Sequence, residues 1–137
     1  MPRPDIPPGE RTTLRTIRWG EVYWYYFGKV EADEHTIKDW HPALILQNDM
    51  GNRYSPTTIV TPLTGAEKVK RLLPTHCLIR KADYPKLDKD SVVKLEQIFT
   101  IERAALADQF YITRFSKETM REIYRRLVVS LNFGALR

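Results

Sequence analysis

The sequence predicts a mainly β single domain: a strongly bent antiparallel β-barrel carrying one helix at its C-terminus. Three observations point there. Short runs of β-branched and aromatic residues recur between turn-forming stretches, enough for five to seven strands. Only the last part of the chain shows a helical stripe. And 137 residues suffice for one core but not comfortably for two.

The elements follow in order. Residues 1–17 are rich in proline and arginine with little periodic apolar content, and are expected to form a flexible arm ahead of a domain over 18–137. Gly20–Phe27 is aromatic-rich and favours a strand, with Val22, Trp24 and Tyr26 on one face and Glu21, Tyr23 and Tyr25 on the other. Gly28–Asp39 is polar and charged. It is expected to be a long loop, a class that tends to be functional or disordered. Pro42–Gln47 is a short apolar strand, and Asn48–Asn52 supplies turn chemistry. Thr57–Thr61 is a β-branched strand, Gly65–Leu73 a basic connection and Thr75–Arg80 another strand. Ala82–Asp90 is a charged loop, and Ser91–Ile101 is expected to be a single strand. Glu102–Leu106 fits one helical turn and Phe110–Ile112 a last strand. Ser116 is the expected N-cap of the helix, with Glu118 in its first turn. Met120, Ile123, Tyr124, Leu127, Val128 and Leu131 form its stripe, and Gly134 its stop signal.

Composition narrows the function classes. No apolar run approaches the roughly 20 residues that span a bilayer. Met1–Glu10 holds four prolines and no apolar core of a secretory signal, and Cys77 is the single cysteine. A cytoplasmic protein without disulfides is expected, with no membrane association. Cys77 is expected to be a buried small hydrophobe on its strand. The net charge of +5 is compatible with a polyanion or an acidic partner.

The common catalytic signatures are missing. There is no H-E-x-x-H, paired C-x-x-C, phosphate-binding G-x-x-x-x-G-K-[ST], G-x-G-x-x-G or G-x-S-x-G. His35, His41 and His76 lack the spacing of a metal site, so neither metal nor cofactor is expected. RNA cleavage needs neither, because the substrate carries its own nucleophile, the 2′-hydroxyl. The protein has to accept that proton, stabilise charge on the phosphate and let the 5′-oxygen leave protonated. Glu34, His35 and His41, followed by Arg53, Ser55 and Thr64, supply such groups close together in the chain. The aromatic run Trp19–Phe27 could stack bases, although core packing accounts for most of it. Lys68, Lys70 and Arg71 form a basic run suited to phosphate contact or to solvent.

The run Asn48-Asp-Met-Gly-Asn-Arg-Tyr-Ser-Pro-Thr-Thr-Ile-Val-Thr-Pro-Leu-Thr64 resembles the central block of the MazF/PemK endoribonuclease toxins. Other blocks fall in the same order: Gly20–Tyr23, Pro42–Asn48, Leu73–His76, Asp90–Ile98, Thr100-Ile101 and the closing helix with Ser130-Leu131. The resemblance runs from about Arg18 to Leu131. It implies an SH3-like, CcdB-like barrel, a homodimer, and cleavage of single-stranded RNA at short sequences to 2′,3′-cyclic phosphate and 5′-hydroxyl ends. It also implies an antitoxin whose extended acidic tail occupies the RNA groove.

Carried over residue by residue, the resemblance places the catalytic threonine on Thr64 and the loop carboxylate on Glu34. The catalytic arginine position holds His41, and a second expected arginine is Phe99. Histidine does not clamp phosphate as arginine does, but it titrates near pH 6.5 and suits proton transfer. His41 is therefore expected as acid or base, Thr64 on a phosphate oxygen, and Glu34 or His35 as the complementary group. RNA contacts are expected from His35, Arg53, Ser55, Lys68, Lys70 and Gln97. Two alternatives stay open. One is a weakened barrel that binds RNA or antitoxin without efficient cleavage. The other is a CcdB-type gyrase poison, against which the C-terminal Leu131–Arg137 lacks a Trp-type ending.

Overall fold

The computed structural model describes residues 16–31 and 35–136. Most of the expected arm, and Glu34, lie outside the described residues. The described residues form seven strands: β1 Glu21–Tyr26, β2 Trp40–Ile45, β3 Thr57–Gly65, β4 His76–Ile79, β5 Ser91–Lys94, β6 Phe99–Glu102 and β7 Tyr111–Arg114. The order β4-β5-β3-β2-β1-β7, with β6 also on β3, makes one antiparallel sheet. The helices are α1, Asp49–Tyr54, and α2, Lys117–Ser130.

The bend is built into β3. Its first half pairs with β6, from Thr57↔Glu102 to Val60↔Phe99, and its end pairs with β5, from Leu63↔Val93 to Gly65↔Ser91. One long strand thus changes partner midway, and the sheet curls into a half-barrel. The expected single strand over 91–101 is split for the same reason. Gln97 N donates to Lys94 O at 3.0 Å to close a turn, and Thr61 Oγ1 donates to the Lys94 and Gln97 carbonyls at 2.9 and 3.0 Å. The apolar pattern runs on through this turn because Leu95 and Ile101 are buried on opposite sides of the sheet.

Each face has its own core. One cluster joins Val22, Leu44, Leu63, Val93 and Leu95 to Phe115, Met120 and Ile123. The other joins Ile17, Tyr23, Ala43, Ile45, Val60, Ile101 and Phe110. Each fully buried aliphatic side chain favours folding by about 1.5–3 kcal/mol. Ile17, placed in the arm by its composition, is buried in the second core.

α2 closes the first core and begins where expected: Ser116 Oγ accepts from Thr119 N at 3.1 Å. Of its stripe, Met120 and Ile123 are buried, while Tyr124 and Leu131 are exposed. It stops before Gly134, at Asn132, whose φ of 59° is the left-handed conformation that ends helices. The expected turn at Asn48–Asn52 is instead the start of α1. Asn48 caps it by accepting from Gly51 N at 2.8 Å. Buried Asn52 donates to Gln47 O at 2.9 Å and accepts from Thr58 Oγ1 at 2.7 Å, fastening α1 to β3. Among the described residues, no helix is long and apolar enough to cross a membrane.

Candidate active site

β2 and β3 bring the leading candidates together. Their register pairs Ala43 with Pro62 and Leu44 with Thr61. Continued toward the start of β2, it sets His41 opposite Thr64 on the same face. Both line a cavity of about 290 Å³, with Trp24, Asp39, Trp40, Lys68, Lys86 and Asp88 among its other walls.

The surroundings of His41 fix its chemistry. Nδ1 lies 3.1 Å from the Leu63 carbonyl oxygen. A carbonyl only accepts, so Nδ1 carries the hydrogen and Nε2 of the neutral ring keeps its lone pair. Burial pushes the His41 pKa below the usual 6.5, assisted by Lys68 and opposed by the Leu63 bond, Asp39 and the Lys38 backbone. At neutral pH the ring is uncharged and can accept a proton. Thr64 is only 7% exposed, and its hydroxyl makes no hydrogen bond to a described residue. It is available as a donor to an oxygen anion.

The cations come from two connections. Lys68 ends the short 3₁₀ turn Ala66–Lys68 that leaves β3. This turn is tied to the neighbouring loop by Ala66 N donating to Asp90 O at 2.9 Å and by the Lys89–Glu67 pair at 2.8 Å. Lys86 and Asp88 flank Leu87, which is 3% exposed and anchored in the first core. That anchor holds both neighbours at the cavity rim.

Other expected site residues lie elsewhere. His35 and Lys70 are exposed and do not line the cavity. Arg53 lines a separate open cleft of about 720 Å³ with Arg18, Asp49, Glu102 and Arg103. There Arg103 donates to the Asn52 and Arg53 carbonyls at 2.6 and 2.8 Å, as a helix-end clamp. Ser55 bonds the Thr57 hydroxyl at 3.1 Å within its own turn. Gln97 Oε1 accepts from Ile37 N at 2.6 Å, which pins the long loop. Phe99 stacks edge-on against Phe27 at 5.0 Å, and Phe27 meets the His41 ring at 6.4 Å. His76 is structural: Nδ1 accepts from Leu73 N and Nε2 faces Glu96 Oε2, both at 3.1 Å. Cys77 is buried, and burial pushes its thiol up to about 11, so it is no nucleophile. Among the described residues, no group of three or more His, Cys, Asp or Glu could hold a metal ion.

Residues 18–131 match the PemK-like, MazF-like toxins of type II toxin–antitoxin systems. The chain belongs to that toxin family. It is 40% identical over 121 residues to the Endoribonuclease MazF of Staphylococcus saprophyticus, covering 88% of this chain and 96% of the relative. The MazF crystal structure from Deinococcus radiodurans has the same fold, with a TM-score of 0.66 at 16% identity, covering 86% of this chain and 98% of that one. So does an endoribonuclease in complex with its cognate antitoxin from a Mycobacterial species, with a TM-score of 0.63 at 23% identity, over 85% and 95%.

Lys86 and Asp39 line the cavity and are not among the sequence-based candidates. Lys86 lay in a loop that only looked charged, and no linear spacing shows that Leu87 anchors it beside His41. Asp39 stands two places before His41, at the end of the polar loop. The signal was available in Lys38-Asp39-Trp40-His41, where a carboxylate directly precedes the strand that carries the histidine.

Proposed function

We propose that this toxin is an endoribonuclease whose reaction centre is the His41–Thr64 cavity. One observation carries the proposal: a neutral imidazole with Nε2 available faces a cavity that also holds an unbonded hydroxyl and a lysine. His41 Nε2 takes the proton of the 2′-hydroxyl. The 2′-oxygen bonds to phosphorus, and the bond to the 5′-oxygen breaks. Thr64 and Lys68 hold the non-bridging oxygens as charge builds on them. The 5′-oxygen takes a proton from the Lys68 ammonium. The products are a 2′,3′-cyclic phosphate and a 5′-hydroxyl, and no step calls for a metal. His35 and Lys70 extend the contact to flanking single-stranded RNA, while Arg53, Ser55 and Gln97 shape the surrounding loops. Glu34 remains the alternative proton donor.

The same cationic rim suits an antitoxin with an extended acidic tail, which would exclude RNA by occupying its site. The solved relative with its cognate antitoxin supports such a partner. Tyr124, Val129, Leu131 and Phe133 are exposed on and just after α2, as is Leu78 on edge strand β4, an apolar surface that a homodimer would cover. RNA and antitoxin as partners favour a cytoplasmic location for the working protein.

The test is His41→Ala. Loss of an acid–base group lowers the cleavage rate by about two to four orders of magnitude. A wild-type rate sinks the assignment. RNA that the unaltered protein retains intact marks instead a binding barrel without efficient catalysis.

A further inference from the structure

We infer that Asp39 is a positioning residue for His41: its carboxylate balances the charge that the imidazole acquires on taking the 2′-hydroxyl proton. This rests on the proposed role of His41 as base.

The backbone at Asp39 is the first observation. Asp39 and Asn132 are the non-glycine residues with positive φ among the described residues, at 70° and 59°. Asn132 terminates α2, whereas Asp39 ends no helix. It is held by two loop-closing bonds: Phe27 N donates to Asp39 O at 2.9 Å, and Asp39 N donates to Gly28 O at 2.7 Å. A glycine meets this backbone demand without steric penalty, while an L side chain is disfavoured there. Unusual backbone at a cavity wall is a pointer to function.

The second observation is where the residue sits. Asp39 lines the same cavity as His41, two residues earlier in the chain. The other charged groups on that cavity are Lys68 from the turn after β3, and Lys86, Asp88 and Lys89 from the loop before β5. Lys38 is the adjacent residue in the chain. Lys89 is paired with Glu67, but Lys68 and Lys86 still outnumber Asp88, so an imidazolium forming there meets a positive field. Asp39 opposes it and favours the protonated ring, against burial and Lys68. In the chemical step His41 changes from neutral to cation.

The test compares Asp39→Asn, which tolerates the left-handed backbone, with Asp39→Gly, which prefers it. Cleavage of a single-site RNA is followed across pH in the full chain. Both variants should lose roughly 10- to 100-fold in kcat with little change in KM. The acid limb of the profile should move down by about one pH unit, as expected on losing a nearby opposite charge. A purely structural role would lower kcat without moving that limb. An unmoved limb in both variants, in a protein that His41→Ala inactivates, overturns this inference alone. Activity in His41→Ala overturns the parent reading instead.

Discussion

At the residue scale, the proposed chemistry turns on His41. Its lowered pKa has two consequences with one sign. The base form persists below the ordinary value, so the acid limb of kcat/KM should fall below pH 6.5. The unfolded chain binds the proton more readily than the folded one. Stability is therefore unaffected by His41 above pH 6.5 and declines as pH drops from there to the folded value. A pH–rate profile with its acid limb at or above 6.5 would contradict this environment. His41 and Thr64 were legible in the sequence through the family resemblance, which sets them at the catalytic arginine and catalytic threonine positions. Asp39 and Lys86 were not, because backbone handedness and an anchored loop are set by tertiary contacts.

At the scale of the element, α1 and the turn after β5 are the instructive cases. Asn48 and Asn52 have the composition of a turn. Both find partners that make a helix: one caps it, and the other is buried with its amide satisfied. Asn52→Ala leaves the Thr58 hydroxyl without its acceptor. It should destabilise the fold by about 1–3 kcal/mol, read by thermal or urea unfolding. A change within a few tenths would show that the link between α1 and β3 contributes little. The break between β5 and β6 was hidden because side chains on both sides of the turn are apolar. Hydrophobic alternation reports burial, and here both cores accept it. Only the partner change along β3 shows where one strand must become two.

For the whole molecule, the predicted architecture was largely legible: a curled antiparallel sheet with a C-terminal helix, in one domain. Strand texture and the single helical stripe suffice for that. They do not show that the β3 turn and the loop before β5 converge on one cavity, because both connections are simply charged in sequence. That convergence makes binding electrostatic. RNA affinity should weaken as salt rises, and Lys68→Ala should reduce the slope of log K against log salt by about 0.7, as expected for one contact to a single strand. An unchanged slope places the Lys68 ammonium away from phosphate.

The most direct test of the account is to incubate the purified toxin with mixed-sequence single-stranded RNA in excess EDTA and to analyse the product ends. The account predicts cleavage at short sequences, leaving 2′,3′-cyclic phosphate and 5′-hydroxyl ends. Cleavage that stops in EDTA, or that leaves 3′-hydroxyl and 5′-phosphate ends, would contradict it.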